Sequence, residues 1–157
     1  MADDEQYLRA SVRLAAEGMA RGEGGPFGAL VVREDEVLGR GWNRVLTSND
    51  PTAHAEVVAI REACARLGSY WLLDCTLYCS CEPCPMCLAA AYWARIPRLV
   101  YAAGREDAEA IGFADRELYH ELVLPPGART MTVRQLLAEE AREVMRRWPA
   151  TAAGRVY

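Results

Sequence analysis

The sequence predicts an α/β domain in which a sheet of four or five strands lies between helices. Short β-rich runs alternate with segments whose apolar side chains recur at helical spacing, and this alternation is typical of such sandwiches. A chain of 157 residues is the size of one ordinary domain, and no linker or internal repeat divides the sequence. We therefore predict one three-layer α/β/α domain over residues 1–157.

Helices are predicted where apolar residues repeat every three to four positions or where capping residues mark an end. Leu8, Val12 and Ala15 share one face of the first helix. Gly68 ends the second helix, and Pro85 occupies the favoured first position of the third. The predicted helices cover residues 4–21, 53–67, 85–95, 115–122 and 133–148.

Strands are predicted in short runs rich in β-branched and aromatic residues. The sequence Glu34-Asp35-Glu36 separates the first two runs, which are expected to form a hairpin. A polar loop over residues 43–52 leads to the second helix, and Pro125-Pro126-Gly127 breaks the chain before the last one. The predicted strands cover residues 27–33, 37–42, 76–80 and 99–103.

Composition and charge exclude several classes of protein. The N-terminus is acidic and no apolar run is long enough for a membrane span, so a cytoplasmic protein with no membrane partner is expected. All 18 basic residues are Arg, which excludes Schiff-base lysine chemistry and a P-loop. A net charge of −4 without a basic block argues against a nucleic-acid partner.

The segment "CSCEPCPMC" places four of the six cysteines within residues 79–87. Such a cluster is compatible with a redox dithiol, a disulfide framework, a closed structural zinc site, or part of an open catalytic metal site. A reducing cytoplasm argues against the disulfide framework. The other three alternatives assign different cysteines as ligands.

His54 favours the open metal site. Cys84 and Cys87 lie three residues apart at the start of a predicted helix, so they share one face. One histidine nitrogen and two thiolates form a zinc ligand set that leaves the fourth position for water. The spacing His54-Ala55-Glu56 with Pro83-Cys84-x-x-Cys87 is the signature of zinc deaminases.

A closed four-cysteine site is the main rival to this interpretation. It would leave His54 and Glu56 without a role, and the gap between Cys79 and Cys81 is shorter than the usual ligand spacing. We therefore predict two ligands among the four cysteines, with Cys79 and Cys81 as packing residues. Cys64 and Cys75 are likewise expected in the core.

The predicted chemistry is hydrolytic deamination. Zinc lowers the pKa of its water toward about 7 and so supplies hydroxide as the nucleophile. Glu56 is too close to His54 to be incidental, and we predict that it acts as general acid and base without binding zinc. It would take a proton from water and deliver protons to the ring and to the departing amine.

At these residues the chain resembles the cytidine deaminase-like superfamily, whose fold is a five-stranded sheet between helices. The segments "GGPFGA", "DPTAHAE", "SCEPCPMC", "YWARIPRLVYAA" and "GFADRELY" look most like the bacterial guanine deaminases. This resemblance implies one zinc ion per chain and the conversion of guanine and water to xanthine and ammonia.

The resemblance also implies substrate-binding residues. Asn43 matches the residue that hydrogen-bonds the purine, and Asp115 matches an acid in the family's Gly-Phe-Asp-Asp segment, which here reads "GFAD". The remaining expected substrate contacts are Phe27, Trp93, Ala55 and Tyr157. The family forms homodimers that exchange C-terminal segments, so residues 128–157 are expected to be exchanged and Tyr157 to cover the partner's site.

Three alternatives remain beside the guanine deaminase hypothesis. The substrate could be another small aminated ring, such as cytosine, a triazine or a modified purine. A tRNA adenosine deaminase shares both zinc motifs, but the mixed charges of residues 134–147 argue against RNA binding. A non-catalytic zinc module would not need Glu56 or an open ligand position.

Overall fold

The structure is a computed structural model that describes residues 4–151. The chain divides into two compact units, Met1–Asp115 and Arg116–Tyr157. The first unit contains the sheet and most of the helices. The helices are α1 (Asp4–Ala20), α2 (Val45–Ser48), α3 (Ala55–Leu67), α4 (Pro85–Trp93), α5 (Arg105–Ala110), α6 (Asp115–Val123) and α7 (Ala138–Arg147).

The sheet is mixed and has the order β2-β1-β3-β4. Its strands are β1 (Gly28–Arg33), β2 (Glu36–Trp42), β3 (Cys75–Cys81) and β4 (Arg98–Ala103). The predicted hairpin is present, since β1 pairs antiparallel with β2, and β1 also pairs antiparallel with β3. The pairing of β3 with β4 is parallel.

The described residues form four strands, whereas about five were predicted. The sequence pattern assigned residue ranges to four strands only, while the alternation of elements allowed a fifth and the resemblance implied it. After Ala103, the run richest in β-branched residues is Thr130-Met131-Thr132-Val133, and it forms a bend and irregular backbone, not a strand. Residues 104–151 form helices, turns, bends and irregular segments.

Alternation along the strands creates two apolar faces and therefore three layers. On one face Leu30, Val32 and Tyr78 pack with Tyr7 of α1. Helices α3 and α4 cover the other face, where the buried strand residues are Ala29, Val31, Leu77 and Cys79. The predicted α/β/α sandwich is confirmed.

Helix α3 lies very close to strand β2, and two glycines allow this approach. A Cβ atom on Gly39 would stand 2.1 Å from the carbonyl oxygen of Ala59, and one on Gly41 would stand 1.9 Å from that of Ala55. No side chain fits at these distances. The pair of glycines therefore sets how close the start of α3 lies to the sheet.

The second unit was predicted less accurately. Its last helix was expected from residue 133, but α7 begins at Ala138, because Leu137 has a left-handed backbone with φ of 53°. Val133 is β-branched, and Leu136 and Leu137 are mostly exposed, so a helix here would gain little burial. Among residues 4–151, no helix is long and apolar enough to cross a membrane.

Candidate active site

The starts of α3 and α4 bring the predicted ligands together. His54 and Cys84 are the residues immediately before these helices, and both have extended backbones. Their carbonyl oxygens accept the first helical hydrogen bonds, from the N–H groups of Val58 and Leu88. Neither side chain caps its own helix. Both side chains are therefore available to meet across the gap between the two helices.

The three candidate ligand atoms form a compact triangle. The Nδ1 atom of His54 lies 3.6 Å from the Sγ of Cys84 and 3.5 Å from the Sγ of Cys87. All three atoms lie within 4.8 Å of one another. Tetrahedral zinc with normal bond lengths places a nitrogen and a sulfur ligand about 3.5 Å apart. The donor set and its spacing fit zinc.

The environment of Cys84 differs from those of the other three cysteines in the segment. Hydrogen bonds from Cys87 and His54 lower the pKa of Cys84 to about 4, so this side chain is held as a thiolate. The same contact and burial raise the pKa of Cys87. Burial raises the pKa of Cys81 to about 11 and that of Cys79 well above its usual range.

Glu56 lies in the first turn of α3, beside the ligand triangle. Only 8% of its surface is exposed, and burial raises the pKa of its carboxyl group. A carboxyl group in such an environment gives up and accepts protons at higher pH than an exposed one. This is the property expected of a general acid and base.

A cavity of about 380 Å³ opens onto these residues within the first unit. His54, Cys84 and Glu56 form one part of its wall. The remaining wall includes Phe27, Asn43, Leu46, Cys81, Phe113 and Asp115. A pocket of this size, mainly apolar with a few polar groups, is typical of small-molecule sites.

Comparison with known families gives this site its context. Residues 1–103 match the family model described as the cytidine and deoxycytidylate deaminase zinc-binding region. The chain belongs to this zinc-binding deaminase family. It is therefore a hydrolase that acts on C–N bonds and uses zinc, and the predicted cytidine deaminase-like fold is confirmed.

Individual relatives of the deaminase point to purine chemistry. Guanine deaminase from Bacillus subtilis (strain 168) is 48% identical over 98% of each chain. Its X-ray structure matches with a TM-score of 0.95 over 99% of both chains. A structure solved in complex with 2,6-diaminopurine is 36% identical, with a TM-score of 0.69, and the match covers 73% of this chain and 64% of that one.

RNA-modifying enzymes are also similar to the deaminase. A tRNA-specific adenosine deaminase from Haemophilus influenzae is 39% identical, over 79% of this chain and 75% of the relative. The similarity to the guanine deaminase covers more of the chain at a higher identity.

Asn43 of the deaminase is almost completely buried and held at several points. Its backbone N–H donates to the carbonyl oxygen of Phe27 at 3.0 Å. Its Oδ1 accepts from the N–H of Val45 at 3.1 Å, which leaves the NH₂ group as the part that can donate. The structure thus places a fixed amide donor in the cavity wall.

Phe27 and Asp115 line the same cavity. The rings of Phe27 and Phe113 meet edge to face, with centroids 4.9 Å apart. Burial raises the pKa of Asp115, and the nearby Cys84 adds to this effect. The cavity therefore combines an aromatic wall with a carboxyl group on one side.

Of the other predicted substrate contacts, two are not part of the cavity wall and the third lies outside the described residues. Trp93 is 68% exposed on α4 and is not part of the wall of this cavity. Ala55 is buried against β2 and does not line the cavity either. Tyr157 lies outside the described residues. The roles of these three residues stay predictions.

Sequence reasoning missed several cavity residues. Val45 and Leu46 belong to α2, a single helical turn inside what was predicted to be a polar loop. Phe113 was part of the segment "GFADRELY", but only its acid was assigned a role. Cys81 was predicted to be a packing residue; it is buried, lines the cavity and donates to the carbonyl oxygen of Gly104 at 3.5 Å.

Proposed function

We propose that this enzyme deaminates guanine to xanthine and ammonia. The observation that carries the proposal is the position of Asn43 and Asp115 in the same cavity wall as His54, Cys84 and Glu56. A cavity with these groups can hold a small planar ring against a metal site. The similarity to the Bacillus subtilis guanine deaminase supports the same substrate.

His54, Cys84 and Cys87 are the proposed zinc ligands, and Glu56 is the proposed proton carrier. When bound, zinc supplies Lewis-acid activation of a water molecule. The carboxylate of Glu56 takes a proton from the attacking water and passes it to N3, the unprotonated ring nitrogen next to C2 of guanine. The carboxylate then takes the proton of the hydroxyl group that has been added at C2 and delivers it to the amine, which leaves as ammonia while the C2 carbonyl forms. Its burial in the cavity wall keeps these proton transfers away from bulk water.

Asn43 and Asp115 are the proposed recognition groups for the base. The amide NH₂ of Asn43 donates to a ring acceptor, while the carboxylate of Asp115 accepts from a ring N–H. Phe27 and Phe113 bound the flat faces of the ring with apolar surface. Adenine and cytosine present different donors and acceptors at these positions, so they are expected to bind less well.

Ammonia release from a panel of substrates tests the proposal. The panel contains guanine, adenine, cytosine, a diamino-triazine and a tRNA whose anticodon includes adenosine. Guanine is expected to give the highest kcat/KM, with xanthine as product. A higher kcat/KM for another free ring would identify that ring as the substrate in place of guanine. Activity on the tRNA alone would show that the enzyme is an RNA-editing deaminase.

Charge supports a free base over RNA as the substrate. On α7, Glu139 pairs with Arg142 and Arg146 at 2.7 Å each, so these arginines do not form a purely basic surface. An RNA-binding face needs cations that neutralise phosphates. We place the enzyme in the cytoplasm because all six cysteines are free, as expected under reducing conditions.

We further propose that two chains form a homodimer and exchange residues 128–157, with the tail closing the partner's cavity. Within α7 and the turn before it, Leu137, Val144 and Met145 are each at least 59% exposed, so apolar surface is left for a partner. Sedimentation of the full chain tests for the dimer. Removal of residues 150–157 is expected to keep zinc and the dimer but to reduce kcat strongly. Unchanged turnover would contradict a role as a lid.

A further inference from the structure

Four side chains form a cluster at the end of β2, next to the cavity but outside its wall. The indole N–H of Trp42 donates to Oε2 of Glu23 at 2.5 Å, and Nε of Arg21 donates to Oε1 at 2.8 Å. The guanidinium groups of Arg44 and Arg21 lie 4.0 Å and 4.8 Å from the centre of the Trp42 ring. We call these four residues the Trp42 cluster.

Glu23 joins this cluster to α2 through its backbone. Its carbonyl oxygen accepts hydrogen bonds from the N–H groups of Leu46 and Thr47, at 3.2 Å and 3.3 Å. Its carboxylate meanwhile holds the Trp42 indole at the end of β2. One residue therefore ties together the two segments that flank Asn43 in the sequence.

Asn43 is enclosed between these attachments. Gly24, the residue after Glu23, lies so close that a Cβ atom there would stand 2.1 Å from Oδ1 of Asn43. A small displacement of the Glu23 loop would therefore push on the amide group or open a gap beside it.

Arg44, the residue after Asn43, holds the backbone in place on the other side of Asn43. Its backbone N–H donates to the carbonyl oxygen of Ala53 at 2.9 Å. Its Nε is buried and has no hydrogen-bond partner among the described residues. Stacking on Trp42 and attraction to the Glu23 carboxylate are then the interactions that place this guanidinium.

We propose that Glu23 is a positioning residue that fixes the amide of Asn43 for base binding, an inference that rests on the proposed function. Glu23 does not line the cavity, so it acts through Asn43 and not on the substrate. The hydrogen bond from Trp42 lowers the pKa of the Glu23 carboxyl group, which keeps it ionised at neutral pH.

The test is a double-mutant cycle between Glu23 and Asn43, read out as KM and kcat for guanine. Glu23→Ala is expected to raise KM about tenfold and to change kcat less than about threefold, because binding of the ring is affected and proton transfer is not. Glu23→Gln keeps an acceptor for the Trp42 indole and should recover most of the loss. In an Asn43→Ala background, Glu23→Ala should change KM less than about twofold.

Glu36→Ala is the matched control. Glu36 lies at the other end of β2 and is an exposed glutamate that, like Glu23, pairs with an arginine, here Arg66 of α3. The substitution changes the charge equally and should leave KM unchanged. Dissociation constants of 8-azaguanine, measured by calorimetry in a Glu56→Gln background so that the ligand is not deaminated, give a second readout.

Two results would overturn the inference. An equal rise in KM with and without Asn43 would show that Glu23 acts independently of the amide. A loss of thermal stability with unchanged KM and unchanged binding of 8-azaguanine would make Glu23 purely structural. Failure of the proposed function gives a different result, since the wild-type enzyme would then neither bind nor deaminate purines.

Discussion

The backbone of Gly41 in β2 lies against the carbonyl oxygen of Ala55, the first residue of α3. A Cβ atom at position 41 would stand 1.9 Å from that oxygen and 2.8 Å from the backbone nitrogen of Ala59. Both neighbours are backbone atoms and cannot turn away as a side chain would. Because His54 immediately precedes Ala55, this contact also sets the position of a candidate zinc ligand.

Gly41→Ala is therefore expected to destabilise the protein and weaken its zinc site together. The added methyl group must push α3 away from β2, and overpacking of this kind costs about 1–3 kcal/mol. Chemical unfolding and zinc titration measure the two effects. Gly127→Ala is the control, because nothing lies within 4 Å of a Cβ atom at Gly127. Equal stability of the two variants would contradict the close packing of α3 on the sheet.

Substitution of individual cysteines should separate ligands from packing residues. Cys84→Ala removes one corner of the ligand triangle and is expected to lose most of the bound zinc. Cys79→Ala changes a neighbouring cysteine that lies outside the triangle, so it should retain one zinc per chain. Metal analysis of the purified variants gives the answer. Full zinc content in Cys84→Ala would remove that residue from the site.

Glu56→Gln is expected to keep zinc and the fold but to lower kcat by about two to four orders of magnitude. The amide has the shape of the carboxylate but cannot carry protons, and general acid–base catalysis contributes on this scale. Glu62→Gln is the matched control, because Glu62 is an exposed glutamate on the same helix. Steady-state kinetics compare the two. Activity of Glu56→Gln within about tenfold of wild type would exclude Glu56 as the proton carrier.

The N-terminal helix should contribute a pH-dependent part of the stability through Asp4. Arg98 donates two hydrogen bonds to this carboxylate and Tyr78 donates one, which lowers the pKa of Asp4 from 3.8 to about 2. A lowered pKa stabilises the folded state above pH 3.8, and the contribution is lost as the pH falls through about 2.

Asp4→Asn measures this contribution. The wild type should be more stable than the variant at neutral pH, and the difference should disappear between about pH 4 and pH 2. Urea unfolding across this range provides the data. Because the pair is largely exposed, about 1 M salt should also reduce the difference. A difference that does not change with pH would show that packing, not charge, is responsible.

The elements with a strong apolar pattern could be predicted from the sequence. Helix α1 and the four observed strands lie within one or two residues of their predicted bounds. The face predicted for α1 was only partly right, because Ala15 is buried together with Tyr7, Ser11 and Gly18, whereas Val12 is 47% exposed. Helix α5 was missed since its six residues, "REDAEA", contain no apolar repeat. The late start of α7 was missed because the sequence does not reveal which apolar residues remain exposed.

The ligand triangle could also be predicted from the sequence, whereas many residues of the cavity wall could not. Motif spacing identified His54, Cys84 and Cys87, whose chemistry allows few alternatives. Leu46 reaches this site from the single turn of α2 and Phe113 from the loop between α5 and α6, and their residue types give no sign of it. The Trp42 cluster could not be predicted from the sequence either. Residues 21 and 42 become neighbours only when the end of β2 packs beside the segment that follows α1.

The ligand triangle joins segments that are far apart in the chain, since His54 and Cys84 are separated by 30 positions. An ion bound there closes a loop that contains all of α3 and β3, much as a cross-link would. Any ion that binds the folded chain and not the unfolded one shifts the unfolding equilibrium by mass action. The melting temperature of this protein should therefore depend on the free zinc concentration of its buffer, and samples with partial metal content should melt in two steps.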